Sequence, residues 1–253
     1  MVSKMGNIES RGGLDNTSTV SVLEHEEYRL HVGTRRRIYF FVKRCFDFLS
    51  SLCASIILLI PMGLIALLIM VRDPGNPFFM HKRVGMNGKE IDVLKFRSMR
   101  KNADRLESML NPEQIAQYKK EYKLDDDPRL IGYHKAGDGD KCLGAFLRRT
   151  SLDELPQIIW NICIMGNMSV VGPRPILQEE LQGNYSSEEQ KMLLSFKPGL
   201  TGYWQAYARN NATYETGKRQ AMELHYVRNA SIRLDVKILF ATVGAVISKK
   251  GAQ

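Results

Sequence analysis

The sequence predicts an α+β protein, mainly helical, with one membrane-inserted segment and a single small β-hairpin. Three observations carry that class. From Phe48 to Val71 the chain reads FLSSLCASIILLIPMGLIALLIMV, 24 residues without a charge. Helical patterns recur at 101–122, 153–165, 187–195, 213–228 and 232–248. β-like runs are confined to 77–99.

Taken in order, residues 1–34 are polar, without apolar periodicity or the basic-then-apolar order of a secretory signal, and are expected to form a flexible tail. Residues 35–75 hold the apolar segment. As a helix its 24 residues measure about 36 Å, enough to cross a hydrocarbon core of about 30 Å. Pro61 removes a backbone donor at its centre, so a bend is expected there. Arg35, Arg36, Arg37, Lys43 and Arg44 precede the segment, and Arg72, Lys82 and Arg83 follow it. The residues leave two topologies open, a kinked span and two half-helices that dip in and return. Residues 76–253 form the soluble part. Within it Met86-Asn87-Gly88 marks a hairpin turn, and the hairpin carries Lys95 and Arg97. Residues 125–141, DDDPRLIGYHKAGDGDK, read as a polar loop. The last helix has one apolar face with basic ends, suited to packing on the core or to lying along a membrane.

The formal net charge of +9 and pI near 9.4 imply polyanionic company. Because the basic residues flank a membrane segment, lipid headgroups explain them better than nucleic acid, which is not expected as a partner. Cys45, Cys53, Cys142 and Cys163 lack CxxC spacing and read as reduced thiols. The five histidines are dispersed, which argues against zinc. Neither a P-loop nor a Rossmann fingerprint is present.

The adjacent acids Asp153-Glu154, within RRTSLDELPQ, admit two readings. Ser151 and Glu154 fit a capping box, but Pro156 would then fall inside the helix. Starting the helix at Asp153 moves Pro156 into the first turn and makes Asp153 the N-cap, an ionised carboxylate beside phosphate-seeking N–H groups. Such carboxylates act as nucleophiles or hold Mg²⁺. In VVGPRP the two prolines stiffen the chain around Arg174, either a rigid surface turn or a phosphate grip. Arg148 and Arg149 are helix-end charges or further phosphate ligands. Asp125 and Asp127 have a D-x-D spacing, for which a solvated acidic loop is the leading account.

Taken together, KRCFDF (43–48), the apolar segment, KFRSM (95–99), LRRTSLDELPQ (147–157), GNMSVVGPRP (166–175), KPGLTGYWQ (197–205) and YVRNASIRLDVKIL (226–239) resemble the bacterial monotopic phosphoglycosyl transferases, the polyprenyl-phosphate sugar-1-phosphate transferases. The blocks run in family order from about residue 35 to 248. The resemblance implies a bacterial inner-membrane enzyme working on the cytoplasmic face, with a re-entrant helix broken at Pro61 and interfacial amphipathic helices. It implies transfer of a sugar 1-phosphate from a UDP-sugar to polyprenyl phosphate with Mg²⁺, through a phosphosugar-aspartyl intermediate and with release of UMP, for a surface polysaccharide. Asp153 would be the nucleophile, Glu154 its partner in metal binding or proton handling, and Arg174, Arg148, Lys95 and Arg97 the phosphate ligands. The expected partners are the UDP-sugar, polyprenyl phosphate and membrane lipids, with homo-oligomerisation left open. A catalytically degenerate membrane scaffold of the same family is the rival reading. The chain resembles the short form, without a multi-span N-terminal domain. It departs from the pattern at Ile60, at Asn167 (usually Asp), at Glu223 (usually Asp), in a longer loop at 130–143, and in 158–165, longer by about two residues than usual.

Overall fold

The computed structural model describes residues 34–103, 105–121, 124, 126–135, 137–139, 141–208 and 216–247. The polar tail expected at the N-terminus lies outside the described residues. The chain divides into two compact units at Val42–Lys43. In the first, the described residues 34–42 begin helix α1, Thr34–Arg72, and Arg36 lies over the Phe40 ring.

In the second unit α1 carries the apolar segment onward to Arg72 as one helix, and Pro61 lies inside it rather than between two half-helices. A proline removes a single i→i−4 bond, here the one to the Ile57 carbonyl, so the winding continues on either side. Ser50, Ser51 and Ser55 turn their hydroxyls back onto carbonyls one turn earlier, a second device that bends helices. Both flanks of the segment are tied to the same folded body. Before it, Lys43 Nζ meets Asp235 Oδ2 at 2.8 Å, and Arg44 Nη1 donates to the Ile162 carbonyl. Asp47 accepts from Ser169 Oγ at 2.7 Å and from the Val170 N–H at 2.9 Å. Within its second half Met62 and Ile69 join Phe96, Ile131 and Leu147 in a buried apolar cluster, and past its end Asp73 Oδ2 meets Arg97 Nη1 at 2.5 Å. Between these anchors Ile56, Ile57, Leu59 and Ile60 are 64–76% exposed, which makes α1 a candidate membrane segment.

Strands β1 (Phe78–Val84) and β2 (Glu90–Phe96) form the expected antiparallel hairpin. Asn87 and Gly88 both take positive φ in its turn, which the Asn-Gly pair tolerates best. The helix expected over 101–122 is two pieces, α2 (Leu106–Met109) and α3 (Pro112–Glu121). Asn111 and Gln114 exchange side-chain-to-backbone bonds at the start of α3, and Pro112 occupies its first helical position, so the chain restarts there. Next come α4 (Leu143–Arg149), a 3₁₀ turn at Leu152–Glu154 and a π-wound helix at Ile158–Ile164, whose i→i−5 bond runs from the Met165 N–H to the Trp160 carbonyl. π winding accommodates extra residues without a loop, and it occurs in the stretch that is longer by about two.

Strands β3 (Ser169–Val171) and β4 (Gly199–Thr201) pair in parallel. Helices α5 (Gln178–Asn184) and α6 (Ser187–Leu193) fill the crossover between them; α7 (Tyr203–Ala208), α8 (Lys218–Asn229) and α9 (Ile232–Ile247) follow. Helix α9 packs on the body along one face and leaves an apolar stripe exposed on another. Asp235 and Ile238 face the body, while Ile232, Val236, Phe240 and Val243 form an exposed apolar stripe at i, i+4, i+8 and i+11.

Candidate active site

The hairpin register places Arg83 opposite Ile91, His81 opposite Val93 and Phe79 opposite Lys95, so these six side chains share one face. Ile91 and Val93 enter a buried cluster with Ile162 and Met168. Arg83 and Lys95 extend the same face past that core into a cleft of about 320 Å³, counting the part open to solvent. Glu154, Gln157, Arg174 and Gln205 line it with them.

A second wall comes from the parallel strand pair. The Gly172 N–H donates to the Thr201 carbonyl at 2.9 Å, and the Gly199 N–H to the Pro173 carbonyl at 2.8 Å. A Cβ on Gly199 would lie 2.1 Å from the Gly172 nitrogen, so only glycine lets these two backbones approach. The loop carrying Arg174 is thereby clamped against β4. Beneath it, the Arg174 N–H donates to Glu223 Oε2 at 3.1 Å. Glu223 is buried, and burial pushes its carboxyl up to about 7, against the opposing pull of that bond and of the Arg219 and Arg174 charges. Glu223 therefore supports a backbone rather than facing the cleft. The Arg219 and Arg174 guanidiniums lie 4.3 and 5.7 Å from the Trp204 ring centroid, a contact that holds cations without neutralising them.

The acid pair adopts neither expected cap. Ser151 takes a left-handed conformation (φ +56°) with no side-chain capping bond, and Asp153 is the middle residue of a 3₁₀ turn. Pro156 follows this turn and precedes the π-wound helix, where its missing N–H is not needed. The two carboxylates part company in the turn. Glu154 faces the cleft and pairs with Lys95 Nζ at 2.8 Å. Asp153 is 8% exposed and lies one residue back from the lining.

Lys95, Glu154 and Arg174 thus meet in one cleft, beside Asp153. Arg97 does not join them: its N–H is tied to the Pro77 carbonyl beyond the hairpin's end, and its Nη1 pairs with Asp73 Oδ2 at 2.5 Å, at the foot of α1. Arg148 is exposed on α4, outside the lining. In the D-x-D loop Asp127 is fully engaged by Arg129, and Asp125 lies outside the described residues. Asn167 is likewise away from the cleft. Its Oδ1 accepts from Asn161 Nδ2, whose amide also bridges the Leu94 N–H and the Asp92 carbonyl on β2; an aspartate would accept equally well.

Sequence reasoning missed Arg83, Glu180 and Gln205. Counting outward from the Asn-Gly turn would have put Arg83 on the Lys95 face. Nothing local marks Glu180, which reaches Arg83 only through the packing of α5.

Magnesium takes oxygen ligands, often one or two carboxylates completed by substrate phosphate and water. Asp153 and Glu154 are donors of that kind. Among the described residues no group of three or more His, Cys, Asp or Glu side chains forms a cage that would hold a metal without substrate.

The model of the bacterial sugar transferase family matches residues 38–249. A UDP-galactose-lipid carrier transferase of Erwinia amylovora is 39% identical over 94% of this chain and 48% of its own length. The exopolysaccharide production protein ExoY of Sinorhizobium fredii is 40% identical over 87% of this chain and 92% of its own. An undecaprenyl-phosphate galactose phosphotransferase of Salmonella typhimurium is 37% identical over 94% of this chain. The chain thus spans about half the length of the Erwinia and Salmonella relatives and nearly all that of the Sinorhizobium one. On a match that runs from inside α1 to the end of α9, the chain belongs to the bacterial sugar transferase family.

Proposed function

We propose that this protein transfers a sugar 1-phosphate from a UDP-sugar to polyprenyl phosphate, as a membrane step in surface-polysaccharide synthesis. The observation that carries the reading is a cleft in which Lys95 and Arg174 face Glu154, beside Asp153, on a body bearing an exposed apolar helix. The names of the Erwinia and Salmonella relatives, a lipid-carrier transferase and an undecaprenyl-phosphate phosphotransferase, point to the same chemistry.

An Asp153 carboxylate oxygen attacks the phosphorus bonded to the sugar. The bond to the bridging oxygen of the diphosphate breaks, and UMP leaves with that oxygen. The lipid phosphate then attacks the same phosphorus, the aspartyl bond breaks, and the carboxylate is restored. The near-burial of Asp153 suits such an intermediate, because water would otherwise hydrolyse it. Lys95 and Arg174 offset the diphosphate charge. Mg²⁺, held by Asp153, Glu154 and the donor phosphates, would supply further charge neutralisation. The basic residues on both sides of the apolar segment favour placing both of its ends on the cytoplasmic face of the inner membrane, with the bilayer entered by the exposed stretch around Ile56 to Ile60.

The test uses the full chain in detergent with Mg²⁺, polyprenyl phosphate and a panel of UDP-sugars, UDP-galactose first. UMP release is expected with at least one donor, and it stops when the metal is chelated. In Asp153→Asn, turnover falls by about 10³-fold or more, since an amide is a poor nucleophile and the neighbouring Glu154 carboxylate is engaged by Lys95. A wild-type rate in that variant would remove Asp153 from the nucleophile role. The absence of UMP with every donor would sink the functional reading.

A further inference from the structure

We propose that Arg83 and Arg174 form a guanidinium pair that seats a phosphate group of the substrates, with Arg83 as its deep anchor; the proposal rests on the functional reading above. The pair is built by tertiary contact. The Val84 N–H donates to the Ile176 carbonyl at 2.9 Å, which brings the residue after Arg83 alongside the loop that carries Arg174.

The Arg83 side chain is 10% exposed, lines the cleft, and has a buried Nη1 without a hydrogen-bond partner. An unsatisfied buried guanidinium N–H costs stability unless an anion arrives to accept it. The near anion, Glu180, is held back. Its Oε2 accepts from the Leu177 N–H at the start of α5 and remains 3.7 Å from Arg83 Nη1, while its Oε1 stands 3.9 Å from Arg174 Nη1. Both separations exceed hydrogen-bond range, so Glu180 orients the two guanidiniums without saturating them. On the other side Arg83 Nη2 lies 3.3 Å from His81 Nδ1. A guanidinium can only donate, so Nδ1 accepts and the proton of the neutral ring is on Nε2. Burial, with Arg83 next in weight, lowers His81 to about 4, which keeps it an acceptor at neutral pH. Two like charges held together around an incomplete counter-ion suit a tetrahedral dianion, whose oxygens match both forks.

Either the nucleotide or the lipid can bring that phosphate, and binding distinguishes them. UMP and a short-chain polyprenyl phosphate are titrated separately into detergent-solubilised full chain, for wild type, Arg83→Gln and Arg83→Lys. Arg83→Gln is expected to weaken at least one ligand by tenfold or more, and Arg83→Lys the same ligand by a smaller factor, because the lysine keeps the charge and loses the fork. A loss confined to UMP assigns the seat to the nucleotide side, and a loss confined to the lipid assigns it to the acceptor. Arg83→Lys decides the matter if Arg83→Gln does not fold. Wild-type affinity for both ligands in the variants, with UMP release intact in the wild type, overturns this proposal alone. A wild type that releases no UMP and binds neither ligand overturns it together with the functional reading.

Discussion

Two acidic stretches of this chain lie next to arginines, and they have come to opposite ends. In the 126–139 loop every described carboxylate is used by the chain itself. Asp127 grips Arg129 with both oxygens at 2.7 and 2.8 Å, and Asp126 accepts from the Tyr133 hydroxyl and from the Gly137 and Gly139 N–H groups. Those bonds hold the Asp126 carboxyl below its usual value. At the cleft the pairing is looser: Arg83 and Arg174 share Glu180 at 3.7 and 3.9 Å, and Glu154 pairs with Lys95. Acidic residues that look alike in sequence thus differ in how fully the chain itself engages them, and the proposed function uses those whose cations are not saturated.

The sharpest way to break this contrast after Asp153→Asn is to remove Asp127. Asp127→Ala strands a buried arginine and is expected to lower unfolding stability by about 3–5 kcal/mol, read by denaturant titration. UMP release per folded molecule should stay near wild type; a collapse of turnover at unchanged stability would assign the loop a direct role in the site. A second test uses pH. The Glu223 carboxyl is raised from 4.5 to about 7 in the fold, so its stabilising contribution is complete below about pH 4.5 and is lost as pH rises through about 7. That loss amounts to about 3 kcal/mol at most. Glu223→Gln should flatten the stability profile between those limits, and an unchanged slope would show that another group titrates there.

Lys95→Gln comes next. Both partners of its ion pair with Glu154 keep about a quarter of their exposure, so stability should change by no more than about 1 kcal/mol. Turnover should fall by about 10²-fold, because the lost charge faces the diphosphate. A stability loss with full activity would move Lys95 into the class of Asp127. The smallest effect is expected for Asp126→Asn, about 1 kcal/mol in stability with no change in UMP release, since its donors are exposed or partly buried backbone and one phenol.

The hairpin was legible because Asn87-Gly88 and period-2 alternation are local signals, and α1 because 24 uncharged residues admit few alternatives. The turn carrying Asp153 and Glu154 was located by its residues but not by its conformation. A capping pattern at 151–154 became a 3₁₀ turn, because Pro156 delays the longer helix and Ser151 turns left-handed. The parallel pair β3–β4 left no trace in the sequence reading. Three-residue strands have too few residues to show a period, and their pairing depends on glycines that are 27 positions apart, Gly172 and Gly199.

By itself the sequence determined the long apolar segment, the hairpin, the acid pair and the stiff arginine loop, since each depends on composition or short-range stereochemistry. Tertiary structure alone decided which cations serve the cleft. It turned Arg97 toward Asp73, left Arg148 outside, and brought in Arg83 through the strand register and the Val84–Ile176 bond. The physical reason is that a charge becomes a ligand through what lies opposite it, and that is set by packing between residues far apart in the chain.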